Sequence, residues 1–161
     1  MPKNIASLFS GCGGLDLGFS GGFVFRNTVC ERLDTNIVFA NDFDRDAWAC
    51  YNNNELLTND GVHSRLGDIR EIPTNEIPNF DILLAGFPCQ PFSNAGNRKG
   101  VHDDNGRGTL FEECERIIRE KIEVGHRPEA FLFENVRGIL SSKMQDGVTT
   151  VPDEIHKEWK T

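Results

Sequence analysis

The sequence predicts an α/β domain, a mostly parallel sheet with helices on both faces. Three observations carry this. Short, near-continuous apolar runs alternate with helix-like segments, the pattern of parallel strands buried on both faces. A glycine-rich turn follows the first run directly, and carboxylates close the runs that come next.

The elements follow in order. Ile5-Ala6-Ser7-Leu8-Phe9 reads as a first strand and Ile37-Val38-Phe39-Ala40 as a second. Asp44 is placed to cap a helix running through Ala47, Trp48 and Tyr51. His63–Leu66 is a weak third strand, Asp81–Gly86 a strong fourth, and Ala130–Phe133 the fifth. Thr109 and Glu112 form a T-x-x-E capping box opening a longer helix. Its expected apolar face is Leu110, Phe111, Cys114, Ile117, Ile118 and Ile122. This alternation implies a parallel sheet with right-handed crossovers. The expected organisation is a core over residues 1–140 and a tail over 141–161, with one further helix around Asp153–Lys160.

At 161 residues, 38% hydrophobic and 26% charged, the chain suits one ordinary soluble domain. It shows no apolar run long enough to span a membrane and no secretory leader, so a cytoplasmic protein is expected. The five cysteines form no CxxC and no cluster with histidine, which argues against a metal site and a disulfide framework. The net charge of −8 does not by itself suit the grip of a polyanion.

Ser10-Gly11-Cys12-Gly13-Gly14-Leu15-Asp16-Leu17-Gly18 follows the first strand and opens a helix. Glycines there let the chain turn tightly and let a ligand approach the backbone. Asp42 closes the second strand, where a carboxylate can accept hydrogen bonds from both ribose hydroxyls. Asp68, in Gly67-Asp68-Ile69, is placed for an adenine amino group. Together these describe an adenosine-containing cofactor across the carboxyl ends of the sheet. The spacing G-x-G-G-x-x-x-G matches the dinucleotide fingerprint poorly. S-adenosyl-L-methionine, with ribose and adenine but no phosphate, suits it better.

Cys89 lies just past the fourth strand, between Pro88 and Pro91, which restrict the backbone on both sides. That context alone leaves an inert and a reactive thiol about equally favoured. Glu134 shifts the balance: it ends the fifth strand in Ala-Phe-Leu-Phe-Glu-Asn-Val, where a carboxylate is costly unless paired or used as an acid. The four histidines sit in segments that give no triad-like pairing for a hydrolase.

The ordered motifs FSGCGGLDLGF, NDFD, GDI, GFPCQPFS, RGTLFEE and FENVRG, from Phe9 to Gly138, resemble those of the DNA (cytosine-5) methyltransferase family. The resemblance implies a Rossmann-like S-adenosylmethionine-dependent methyltransferase fold. It implies that Cys89 attacks carbon 6 of a flipped cytosine in duplex DNA while Glu134 holds and protonates ring nitrogen 3. Pro88 would shape the cysteine loop and Asn135 would support its geometry. Phe9, Gly11, Gly13, Gly14, Leu15, Asp42, Phe43, Asp68, Ile69 and Leu110 would line the cofactor site. Ser93–Arg107 would close over DNA as a lid. A restriction-modification setting and nucleoid association through DNA are expected with it.

Family members continue beyond this point, with a Gln-x-Arg-x-Arg motif, a target-recognition region and a final Gly-Asn motif. None of these is found after Arg137, where no further arginine occurs. The acidic charge then belongs to a chain whose basic DNA-reading surface lies elsewhere. The expectation is one piece of a larger or split enzyme, incomplete at its C-terminal end. A complementary C-terminal chain would be its partner. Two other readings stand beside it: a non-catalytic module binding S-adenosylmethionine or a protein, and, on the glycine loop alone, a nicotinamide-dependent oxidoreductase.

Overall fold

The computed structural model describes residues 1–58, 61–88, 110–141, 148–150 and 152–153. The chain divides into two compact units: Met1–Gly86 with Ile117–Phe133, and Phe87–Arg116 with Glu134–Thr161.

The first unit is built on β1 (Lys3–Leu8), β4 (Thr35–Asp42), β5 (Arg65–Leu66), β6 (Ile82–Ala85) and β7 (Ala130–Phe133). Their order in the sheet is β5-β4-β1-β6-β7, and every neighbouring pair is parallel. The chain steps outward from β1 to β4 and β5, then returns to the other side of β1 for β6. The order therefore reverses between β1 and β6. In open parallel sheets, ligands bind outside the carboxyl ends of the strands at such a reversal.

Burial follows from position in the sheet. The central strands carry Ile5, Ala6, Leu8, Leu83, Leu84 and Ala85, all essentially inaccessible to solvent. Each of the large ones contributes about 1.5–3 kcal/mol by leaving water. At the end of the sheet order, β7 alternates instead: Ala130 and Leu132 are exposed, Phe131 and Phe133 half-buried. The expectation of burial on both faces fails for this strand because it has one strand neighbour among the described residues. The expected third strand shortens to Arg65–Leu66, both exposed.

The helices follow their caps. In α1 (Gly14–Ser20) the preceding Gly13 is left-handed, with φ 83°. Asp44 caps α2 (Arg45–Asn52), its Oδ1 accepting the N–H groups of Asp46 and Ala47. A short α3 (Glu55–Thr58) follows, and Tyr51 and Leu57 enter the core with Ile5, Ile37, Ala40 and Leu84.

Helix α4 (Leu110–Glu123) has the expected stripe over Phe111, Cys114, Ile117 and Ile118, all buried. Burial pushes the Cys114 thiol up, as suits a packing residue. Ile122 departs from the stripe at 40% exposed. The last turn instead buries Lys121, whose Nζ donates to the Ile77 carbonyl (2.5 Å) and to Asn79 Oδ1 (3.2 Å). The capping residue Thr109 lies outside the described residues, as does most of the expected terminal helix.

Sequence periodicity gave no sign of the hairpin β2 (Phe23–Phe25) and β3 (Thr28–Cys30). Each strand has three residues, too few for an alternation to register. Its turn residues Arg26 and Asn27 both have positive φ, 46° and 64°, the geometry that matches hairpin twist.

Candidate functional site

The first group of site residues gathers where β1 ends. Phe9, Gly11 and Gly13 have φ of 55°, 54° and 83°. For a phenylalanine this conformation is strained, and such strain persists where surrounding structure holds it, often at ligand sites. Gly13 has a direct reason to be glycine. A Cβ built there would come within 2.2 Å of Leu57 Cδ1 and 3.0 Å of the Tyr51 ring. The loop therefore lies flat on these two side chains. On Gly11 and Gly14 a Cβ would meet nothing within 4 Å, so the loop is open over both.

Asp42 ends β4 and reaches back to this loop. Its Oδ2 accepts the Gly11 N–H at 2.7 Å, and its Oδ1 accepts the Asp44 N–H at 2.9 Å. Each oxygen thus holds one backbone donor and keeps capacity for a second. The neighbouring Phe43 is 73% exposed, an aromatic ring standing at the strand end in water.

Asn41, quoted in the sequence motif but given no role there, is buried and ties two strand ends together. Its Nδ2 donates to the carbonyls of Arg65 (3.0 Å) and Gly67 (2.9 Å). This fixes the turn bearing Asp68. The Asp68 carboxylate accepts from Nε and Nη2 of Arg70, whose side chain holds it below the usual carboxylate range. Ile69 is buried at 2% exposure, and Leu15 is half-buried against the core.

A second feature escaped sequence reasoning. Asp16, in the first turn of α1, is fully buried, its Oδ1 accepting from Ser7 Oγ (2.5 Å) and its Oδ2 from Tyr51 OH (2.7 Å). Burial raises its pKa, opposed by those two hydrogen bonds. Burial and the neighbouring Asp16 charge push the Tyr51 hydroxyl up as well. The signal was an acid between Leu15 and Leu17, where an amphipathic helix did not need one.

In the second unit, Phe87 is buried and Pro88 half-buried directly after the end of β6. Asn135 Nδ2 donates to the Phe87 carbonyl at 2.9 Å, and Asn135 Oδ1 accepts the Val136 N–H at 2.9 Å. Two segments 48 residues apart in sequence are joined by the first of these bonds. The Phe87 and Phe111 rings pack with centroids 5.9 Å apart.

Glu134 follows the last residue of β7 and is exposed. Its position thus carries no burial penalty, and the sequence argument from such a penalty loses that support. Leu110, first residue of α4, is half-buried. Cys89 and the expected lid Ser93–Arg107 lie outside the described residues. Among the described residues no His/Cys/Asp/Glu group could hold a metal, and no helix is long and apolar enough to cross a membrane.

The family described as C-5 cytosine-specific DNA methylase matches residues 3–158. The chain is 41% identical over 141 residues to type II methyltransferase M.BanI of Aneurinibacillus aneurinilyticus, covering 88% of this chain and 28% of that protein. It is 38% identical over 148 residues to type II methyltransferase M.NgoPII of Neisseria gonorrhoeae, covering 91% and 37%. The chain thus spans about a third of the length of these relatives. Among solved structures, the S. pombe Dnmt2 methyltransferase superimposes with a TM-score of 0.66 at 20% identity, over 99% of this chain and 40% of that one. That likeness concerns the fold.

Proposed function

Since the chain belongs to the C-5 cytosine-specific DNA methylase family, we propose that it carries the cofactor-binding and nucleophile-bearing part of a DNA (cytosine-5) methyltransferase. The reaction is methyl transfer from S-adenosylmethionine to carbon 5 of cytosine in duplex DNA through a covalent cysteine adduct. The observation that carries this reading is the Asn135–Phe87 hydrogen bond. It ties the Glu-Asn-Val segment to the strand end leading into Pro-Cys-Gln, as a site using both Glu134 and Cys89 requires.

The glycine loop fits an adenosine-type ligand, being open over Gly11 and Gly14 and backed by Asp42 with acceptor capacity to spare. S-adenosylmethionine supplies an electrophilic methyl group on a sulfonium sulfur. Asp42 would accept from the ribose hydroxyls, Asp68 from the adenine amino group, and Phe43 would offer its exposed ring to the base. Phe9, Gly11, Gly13, Gly14, Leu15, Ile69 and Leu110 complete this assignment.

The Cys89 thiolate forms a bond to carbon 6 of a cytosine taken out of the duplex stack, and the carbon 5–carbon 6 π pair moves onto carbon 5. Glu134 gives a proton to ring nitrogen 3 as that charge develops. After methylation, a base takes the carbon 5 proton, and the carbon 5–carbon 6 double bond re-forms as the bond to sulfur breaks and the Cys89 thiolate leaves. Ring nitrogen 3 returns its proton to the Glu134 carboxylate. Pro88 and Asn135 fix the backbone that carries the nucleophile. Duplex DNA is the substrate, and a complementary C-terminal chain, bearing the arginine motif and the target-recognition region, the partner. The core extends over residues 1–140, with 141–161 as a tail.

Methyl transfer to cytosine-containing duplex DNA, with and without such a chain, tests this reading, Cys89→Ser serving as the control. Activity surviving that substitution would rule out the mechanism. Cofactor binding without any transfer, even with the partner added, favours a non-catalytic module.

A further inference from the structure

Asp16 is a carboxylate that the proposed chemistry does not use, in a place where a carboxylate is expensive. It is fully buried, and no cation pairs with it among the described residues. Burying such a group is tolerated only when its lone pairs are satisfied. Here they are satisfied by hydroxyls from two different elements, Ser7 of β1 and Tyr51 of α2, while Asp16 itself belongs to α1. These three elements surround the glycine loop. The Tyr51 ring, held by its hydroxyl, is with Leu57 the surface on which Gly13 rests. The loop's bonds include Gly13 N–H to the Ser10 carbonyl (2.8 Å), Ser10 N–H to the Asn41 carbonyl (2.9 Å), Gly11 N–H to Asp42 (2.7 Å), and a hydroxyl pair between Ser10 and Ser64 (3.3 Å). Its left-handed residues need support from below, since Phe9 gains nothing from φ 55° alone.

We propose that Asp16 is a positioning residue for the cofactor: through Ser7 and Tyr51 it clamps β1, α1 and α2 beneath the glycine loop and holds that loop in its ligand-ready shape. It touches no ligand. The inference rests on the reading of the loop as an S-adenosylmethionine site, but the clamping itself can be measured without ligand.

The test compares the full chain with Asp16→Asn, which keeps the volume, and Tyr51→Phe, which keeps the ring against Gly13. Amide hydrogen exchange is read at Gly11 and Gly13, and at the β7 residues as a reference, followed by calorimetric titration with S-adenosylmethionine. Losing a buried hydrogen bond of this kind corresponds to roughly tenfold in a local opening equilibrium. The loop amides should exchange about tenfold faster in both variants while β7 stays within about twofold. The dissociation constant should rise by about the same factor. A substitution that merely weakened the domain would speed both regions together, and that result overturns the proposal. So does a loosened loop that binds as tightly as before. If the unaltered chain binds no S-adenosylmethionine, the cofactor reading falls, and the exchange data alone decide whether Asp16 clamps the loop.

Discussion

The glycine-loop end of the first unit and the Phe87–Asn135 segment of the second are built on different plans. At the loop, Asp42, Asn41, Asp16 and Tyr51 each bond to backbone or side chain within residues 1–86, so the loop is held by its own unit. In the second unit Glu134 stands exposed, and its neighbour Asn135 donates a hydrogen bond to Phe87, in the segment that leads toward Cys89. The bonds from those four side chains at the loop thus stay within one unit, over separations of up to 35 residues. The proposed covalent chemistry would draw instead on two segments 48 residues apart.

Breaking the second region should hurt chemistry and spare binding. Glu134→Gln keeps the shape and removes the proton donor, which is worth about 10²-fold or more when an acid acts in the rate-limiting addition. Methyl transfer, assayed with the complementary chain, should fall by that factor while calorimetry finds an unchanged cofactor affinity. Equal losses in both would erase the distinction between the regions.

Breaking the first region should do the reverse. Gly13→Ala forces a Cβ into Leu57 and Tyr51 and a left-handed backbone onto alanine. The expected loss of stability is roughly 2–4 kcal/mol, seen as a lower denaturant midpoint, with cofactor binding lost first. Binding at native strength would mean that the loop is not shaped by what lies beneath it.

A smaller effect sharpens the role of the Asn135–Phe87 bridge. Asn135→Ala leaves the Phe87 carbonyl without this donor, a loss of about 1 kcal/mol. Proteolysis of the second unit should accelerate, with the first unit's resistance unchanged. No change there would make the bridge irrelevant to the unit.

Much of the first region was legible because its signals are short-range. Glycines, a strand-end Asp42 and the Asp44 cap each declare themselves within a few residues. Asp16 did not, because its meaning lies in Ser7 and Tyr51, and the latter is 35 positions away. The hairpin escaped for a different reason: Val24, Phe25 and Val29 are 60–69% exposed, so no burial pattern marks them. The stripe of α4 was readable until its last turn, where the stem of Lys121 packs in place of Ile122. In the second region, the proline-flanked Cys89 and the strand-end Glu134 stood out in the sequence itself, whereas their separate roles came with the motif resemblance, and the exposure of Glu134 removes the burial that had pointed to it.

The smallest effect concerns Asp68. The Arg70 side chain lowers its pKa, so the tie stabilises the fold above the unfolded aspartate value and is lost as pH falls through the folded one. Arg70→Ala should raise the Asp68 midpoint toward the ordinary value in a carboxyl-carbon NMR titration. Stability at neutral pH should change by no more than about 1 kcal/mol, because the pair is solvent-screened. An unmoved midpoint would show that Arg70 does not hold this carboxylate.

Cys89 is the proposed nucleophile of a cytosine-5 methyl transfer. Its most direct measurement is covalent trapping on a duplex containing 5-fluorocytosine, with S-adenosylmethionine and the complementary C-terminal chain present, read by intact mass and peptide mapping. One adduct per chain is expected on the peptide carrying Cys89, absent in Cys89→Ser. An adduct on any other residue, or one that persists in Cys89→Ser, would contradict it.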